Sequence, residues 1–175
     1  MKGTGSPLSS VFLSRKAITT ANTIAELMPD YATNMEYCYK YANGLWSTIG
    51  TDTLTPCHAY YIKMTVADSV VLQYDADEYY TPSKSLAAGW NLIGLADLSS
   101  KRVDYAVASV LLDSAGLPGY SQVISPSMNS SSWSYSAGGT ATSKNMLVGE
   151  GYWIYMQNDA TLAGFTIFPL VPDLD

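Results

Sequence analysis

The chain has 175 residues, of which 47% are hydrophobic, enough for one large domain or two small ones with a packed core. Only 14% of the residues are charged, and 14 tyrosines with many serines, threonines and asparagines supply the polar surface, which is typical of extracellular proteins. The net charge of -6 argues against nucleic acid or an anionic membrane as a partner. Because no apolar run approaches the roughly 18 residues that span a bilayer, membrane insertion is not predicted.

The first half of the chain reads as short strands with one helix. Residues 8–18 begin as an apolar strand, and residues 24–28 form a short helix that ends at Pro29. Residues 35–41 alternate, with three tyrosines on one face and Glu36, Cys38 and Lys40 on the other. Asn43-Gly44 predicts a tight hairpin turn. Further strands are predicted at residues 60–64 and 69–74.

The second half has the same order of elements. Residues 86–95 predict one strand, and the apolar spacing in residues 101–112 predicts a helix. The remaining predicted strands are residues 122–125, 133–135, 151–156 and 160–165.

A duplication explains this order. Residues 151–156 read Gly-Tyr-Trp-Ile-Tyr-Met, and residues 59–64 read Ala-Tyr-Tyr-Ile-Lys-Met, a strand composition in both cases. We therefore expect a mainly β fold of two pseudo-symmetric, sandwich-like antiparallel units, each with one short helix. The predicted division of the chain is residues 1–7 as a tag or linker, 8–77 as repeat 1, 78–168 as repeat 2 and 169–175 as a tail, and the repeats can fuse into one domain.

Two segments of the second repeat are similar to a known module. Gly-Trp-Asn-Leu-Ile at residues 89–93 and Gly-Glu-Gly-Tyr-Trp-Ile at residues 149–154 resemble the opening and closing strands of a repeat module in secreted and cell-surface, S-layer-like proteins of bacteria and archaea. The first copy resembles it less, since Cys57-His58-Ala59 replaces Gly-Glu-Gly. The resemblance implies an extracellular, repeat-bearing β module and no catalytic residue, because its positions are glycines, aromatics and aliphatics.

Few residues offer chemistry. Cys38 and Cys57 leave two alternatives open, a disulfide worth about 3 kcal/mol or two buried reduced thiols. His58 is the one histidine, which excludes a multi-histidine metal site. A thiol and base pair of Cys57 and His58 is not favoured, because neighbours on a strand point to opposite faces. No enzymatic activity is therefore predicted.

The one dense carboxylate cluster is Asp75, Asp77 and Glu78. Oxygen ligands at alternate positions suit Ca²⁺, so a structural calcium between the repeats is one interpretation. A solvated acidic linker is the default interpretation of such a run.

Aromatic residues are the candidate binding groups. A flat platform of tyrosine and tryptophan rings stacks a sugar ring or a partner side chain, and the candidates for it are Tyr37, Tyr39, Tyr41, Trp46, Trp133 and Tyr135. Core packing is the alternative, and it is favoured for Trp46 and Trp133 because they occupy similar places in the two copies.

The leading hypothesis is a non-enzymatic structural or interaction module of a larger secreted or cell-surface protein, acting in spacing, assembly or adhesion beside flanking domains. Its partner would be a protein or a glycan at the cell surface. A carbohydrate-binding module of a secreted hydrolase is the alternative, and a hydrolase with an unrecognised carboxylate pair is the third. The first hypothesis predicts mostly buried aromatics, and the second predicts at least two coplanar exposed aromatics with Asp or Asn beside them.

Overall fold

A computed structural model describes seven stretches of the chain, which are residues 6–9, 23–28, 30–49, 53–67, 82–95, 99–126 and 132–164. The fold is mainly β and every strand pairing is antiparallel, which confirms the predicted fold class. Among these residues no helix is both long enough and apolar enough to cross a bilayer. The strand predicted at residues 69–74 and most of the segment at 8–18 lie outside the described stretches.

The described residues 6–67 are called the first repeat below, and residues 82–164 are called the second repeat. One four-stranded sheet is formed by the first repeat, and it includes Ser6 and Pro7 of the predicted tag or linker. Its strands are β1 (Ser6–Ser9), β2 (Met35–Ala42), β3 (Leu45–Thr48) and β4 (Ala59–Met64), with the one-turn helices α1 (Ile24–Leu27) and α2 (Tyr31–Asn34) before β2. The sheet order is β1-β4-β2-β3. The predicted hairpin between β2 and β3 is confirmed: Asn43 has φ 52° and Gly44 has φ 78°, the left-handed pair that an Asn-Gly turn supplies.

The second repeat forms another four-stranded sheet and two short strand pairs. Its strands are β5 (Ser83–Leu86), β6 (Gly89–Gly94), β7 (Lys101–Arg102), β8 (Tyr120–Ser125), β9 (Trp133–Ser136), β10 (Asn145–Met146), β11 (Gly151–Met156) and β12 (Ala160–Ala163). The large sheet has the order β6-β11-β8-β9, while β12 pairs with β5 and β10 pairs with β7. When only the strands of each large sheet are counted in chain order, both sheets have the spatial order first, fourth, second, third.

The strand predicted at residues 86–95 is confirmed over Gly89–Gly94, which is β6, but a turn separates it from Leu86, the last residue of β5. Gly89 has φ 93°, a backbone conformation that residues other than glycine rarely adopt. The Asn91 side chain fixes this turn, since its amide donates to the carbonyls of Ala87 (2.7 Å) and Gly89 (3.0 Å) and its oxygen accepts from the Ala87 N–H. The Gly-Trp-Asn motif thus serves the geometry of a turn.

The helix predicted at residues 101–112 is confirmed only over a shorter range. Only α3 (Val103–Ala106) is α-helical, followed by a 3-10 turn at Ala108–Val110. Lys101–Arg102 is extended because it pairs with β10, and Val107 leaves the helical region at φ -110°, ψ 18°. The predicted apolar stripe nevertheless faces the core, where Val103, Val107 and Val110 are buried.

Each repeat has its own hydrophobic core. The core of the first is built mainly from Ile24, Cys38, Ile49, Leu54, Tyr60 and Ile62. The core of the second is larger, and it contains one residue of the first repeat, Cys57, packed among the buried side chains of the second. The backbone joins the repeats at the same place: His58 bridges to Ile93, and the Gly94 N–H donates to the Cys57 carbonyl at 3.0 Å.

Candidate functional site

One face of the two large sheets carries a continuous row of aromatic rings. Alternation along the strands turns Tyr60, Ile62, Tyr152 and Ile154 inward and leaves their neighbours on the opposite, outer face. We call the outer ring set the aromatic face, and its members are Tyr37, Tyr39, Tyr41, Trp46, Tyr61, Trp90, Trp153 and Tyr155.

The first-repeat part of the aromatic face is built around Trp46. Its cross-strand partner is Tyr41, whose ring centroid lies 5.1 Å away, and Tyr61 and Tyr39 lie at 5.3 and 6.5 Å. All three contacts are edge-to-face, the arrangement that aromatic quadrupoles favour. Trp46 itself is 50% exposed, so its indole is open to a ligand.

Trp153 joins the two repeats across this face. Its ring centroid lies 4.9 Å from Tyr41 and 5.8 Å from Trp46, both of the first repeat. Its indole N–H donates to the Tyr61 hydroxyl at 3.3 Å. The row continues within the second repeat from Trp153 to Trp90 (6.3 Å) and from Trp90 to its cross-strand partner Tyr155 (5.2 Å).

Two open grooves lie between these rings and share Trp46 as a common wall. The first encloses about 400 Å³ and is lined by Tyr41, Trp46, Trp90, Ile124 and Trp153. The second encloses about 450 Å³ and is lined by Tyr37, Tyr39, Trp46 and Tyr61. Both volumes fall in the range of small-ligand sites, which is about 300 to 1,000 Å³.

The rings are neither mostly buried nor arranged as a flat platform, which were the two expectations for the aromatic residues. Trp46, Trp90 and Tyr155 are all more than a third exposed, so the prediction of mostly buried aromatics is wrong for this face. Neighbouring rings are not coplanar either, because the exposed pair Trp90 and Tyr155 stand at 82° to each other and Trp46 stands at 79° to Trp153. The surface is grooved, whereas a flat platform was predicted.

Trp133 and Tyr135 do not belong to the aromatic face, although they were predicted as binding residues. Tyr135 is only 3% exposed and lies in the core of the second repeat, and Trp133 packs against that core and stacks on Tyr152 at 5.6 Å. Trp46 and Trp133 lie on corresponding strands, but Trp46 pairs with Tyr41 of the aromatic face, whereas Trp133 pairs with the buried Ser125. That difference in register turns the two indoles to opposite faces.

Comparison of the chain with known protein families, curated proteins and solved structures finds no match. The similarity to a surface-protein module thus stays a prediction.

The two cysteines are free thiols in separate cores, so the disulfide alternative is not the state of this structure. Burial raises the pKa of both thiols to about 12. A thiol with that pKa is protonated at neutral pH and is a poor nucleophile. Cys57 also has φ 62°, the left-handed conformation that Gly149 has at the corresponding place in the second repeat.

His58 has a structural position beside the junction of the repeats. Its Nδ1 lies 2.9 Å from the Pro56 carbonyl and 2.8 Å from the Thr55 hydroxyl. Burial, and then the positive charge of Lys84, lower its pKa to about 4, so the ring is neutral at pH 7. Lys84 is itself buried and donates to the Leu92 carbonyl at 2.7 Å, and burial lowers its pKa to about 8.

The predicted calcium ligands Asp75, Asp77 and Glu78 lie outside the described residues. Within the stretches that are described, no three His, Cys, Asp or Glu side chains form a group that could hold a metal ion.

The sequence interpretation missed four members of the aromatic face, Tyr61, Trp90, Trp153 and Tyr155. Their signal was present in the strand alternation, because Tyr60 and Tyr152 cannot turn inward without turning Tyr61 and Trp153 outward. For Trp90 the signal is weaker, since its direction depends on pairing with Tyr155.

Proposed function

We propose that this protein is a non-enzymatic interaction module of a larger secreted or cell-surface protein, and that it binds its partner through the aromatic face. The observation that carries the proposal is the continuity of the face, in which Trp153 of the second repeat contacts Tyr41, Trp46 and Tyr61 of the first. Tryptophan and tyrosine are enriched among the residues that contribute most of the binding energy at protein–protein interfaces. Its extracellular location is supported by the low charged fraction of 14%.

The states of the Cys57 thiol and the His58 imidazole agree with a binding role. The Cys57 thiol is buried and protonated at neutral pH, and the His58 Nδ1 is engaged with its own loop. Neither group is therefore placed to act on a ligand at the aromatic face.

A carbohydrate-binding module of a secreted hydrolase is the second candidate function. It is favoured by the two adjoining grooves, which offer tyrosine and tryptophan rings to an extended ligand. The two functions differ in the partner, a surface protein in one case and a glycan in the other, and not in the face that binds it.

Adsorption to isolated cell-envelope material tests the proposal. Peptidoglycan sacculi, S-layer protein sheets and envelope polysaccharide are incubated separately with the native protein and with the double variant Trp46→Ala/Trp90→Ala. The matched control is Trp133→Phe, which changes a tryptophan on the opposite face. Adsorption that the double variant loses and the control keeps supports the proposal, and no adsorption, or equal adsorption of all three proteins, contradicts it.

A further inference from the structure

The nature of the ligand follows from the charge and shape of the aromatic face, and this inference rests on the proposed function. The strands place few charges on that face. Among the strand residues that the structure describes there, the charged one is Lys63, which is ion-paired with Glu36 at 2.5 Å and lies over the Tyr37 ring. A face whose charge is already neutralised gives no Coulombic advantage to an anionic or cationic ligand.

Uncharged hydrogen-bonding groups border the rings instead. Gln122 pairs across the sheet with Tyr155, and Ser136 pairs with Gln122 on the same face. Thr48 pairs with Tyr39 beside the second groove. Amide and hydroxyl groups next to aromatic rings match sugar rings, which offer an apolar C–H face and a rim of hydroxyl groups.

The tilt of the rings decides which form of polysaccharide fits. A crystalline polysaccharide presents a flat surface and needs coplanar rings. Here neighbouring rings stand nearly perpendicular to one another, at 79° for Trp46 and Trp153, 88° for Trp153 and Trp90, and 82° for Trp90 and Tyr155. A single chain, whose successive sugars can turn relative to one another, suits such a row better than a flat crystalline surface does.

We infer that the aromatic face binds one chain of a neutral polysaccharide, which runs through both grooves and is divided into two subsites by the Trp46 indole. Each groove takes one part of the chain, and Trp46 contacts both parts because it lines both grooves. The ligand therefore contacts both repeats at once. A chain too short to fill both grooves loses the contacts of one of them.

Calorimetric titration with soluble neutral oligosaccharides tests the inference. The probes are hexasaccharides of glucose, xylose, mannose and N-acetylglucosamine, the matching trisaccharides, and an acidic hexagalacturonate. We expect saturable binding of at least one neutral hexasaccharide, weaker binding of its trisaccharide by about tenfold or more, and no binding of the acidic probe. Trp46→Ala lowers the affinity by about tenfold or more, and Trp133→Phe leaves it unchanged.

Three results would overturn the inference. The first is no saturable binding of any neutral hexasaccharide up to about 10 mM, a concentration that detects a binding free energy of about 3 kcal/mol. The second is binding that Trp46→Ala does not weaken. The third is Trp46-dependent binding of a proline-rich peptide, which also docks in aromatic-lined grooves, without binding of sugars. If S-layer protein sheets still adsorb the protein through the aromatic face in these cases, the proposed function stands and the polysaccharide is excluded.

Discussion

The two repeats share a sheet order and one local hydrogen bond to a buried tyrosine, but they differ at the place where they contact each other. In each repeat a buried tyrosine, the second residue of β4 or of β11, accepts a hydrogen bond from the N–H five residues earlier: Tyr60 from Thr55 at 3.0 Å, and Tyr152 from Leu147 at 2.5 Å. Two positions before that strand, however, the second repeat has Gly149 and the first has Cys57.

Cys57 gives the first repeat a side chain at the position where the second repeat has a glycine. A glycine at this place would offer no side chain, whereas Cys57 is fully buried in the core of the second repeat and its carbonyl accepts from Gly94. The strained residue is thus part of the contact that sets the repeats side by side. Trp153 contacts Tyr41 and Tyr61 between the same two repeats, on the aromatic face.

The largest expected effect concerns His58, which has Glu150 at its place in the second repeat. Because its pKa is lowered to about 4 in the folded state, the unfolded chain binds the extra proton first as the pH falls. Between pH 6.5 and pH 4 the protein should lose roughly 2 to 3 kcal/mol of unfolding free energy from this group. Urea unfolding across this pH range measures the loss, and His58→Gln should remove it. An equal pH dependence of the unfolding free energy in both proteins would contradict the lowered pKa of His58.

The next effect compares the tryptophans on corresponding strands. Trp133→Ala should cost about 2 to 3 kcal/mol, because its ring packs on the core and stacks on Tyr152. Trp46→Ala should cost only about 1 kcal/mol, since half of that side chain is exposed and its contacts are with other surface rings. Chemical denaturation of both variants checks the ranking, and a larger cost for Trp46→Ala would mean that Trp46 is a core residue.

The shared tyrosine device should give nearly equal effects in the two repeats. Tyr60→Phe and Tyr152→Phe each remove the acceptor of a backbone N–H, so each should lower stability by about 1 to 2 kcal/mol. Tyr155→Phe is the control, because its side chain is exposed, and it should change stability by less than about 0.5 kcal/mol. A cost confined to one of the two buried tyrosines would show that the device is not duplicated.

The smallest effect concerns the left-handed position. Gly149 has φ 86°, so Gly149→Ala should cost about 1 kcal/mol through backbone strain. Cys57→Gly relieves a similar strain but removes a fully buried side chain, and the two effects should cancel to within about 1 kcal/mol. Thermal unfolding monitored by circular dichroism measures the stability change of each variant. A large stabilisation by Cys57→Gly would show that the thiol adds nothing to the junction.

Local chemistry explains which parts of the structure were predictable. The Asn43-Gly44 turn and the strand at residues 151–156 depend on nearby residues, and both were predicted. The faces of Trp46 and Trp133 depend on the exact register of β3 and β9, which composition does not set. The contact between Trp153 and Tyr61 joins residues 92 positions apart, so only the tertiary arrangement of the repeats creates it.

A nuclear Overhauser spectrum of the aromatic side chains tests most directly whether the two repeats present one joined binding face. The ring centroids of Trp153 and Tyr41 lie 4.9 Å apart, and the Trp153 indole N–H donates to the Tyr61 hydroxyl. We therefore predict cross-peaks from the Trp153 indole protons to the ring protons of both tyrosines, and their loss in Trp153→Phe assigns them. A spectrum in which Trp153 shows cross-peaks to Trp90 but none to Tyr41 or Tyr61 would contradict the joined face.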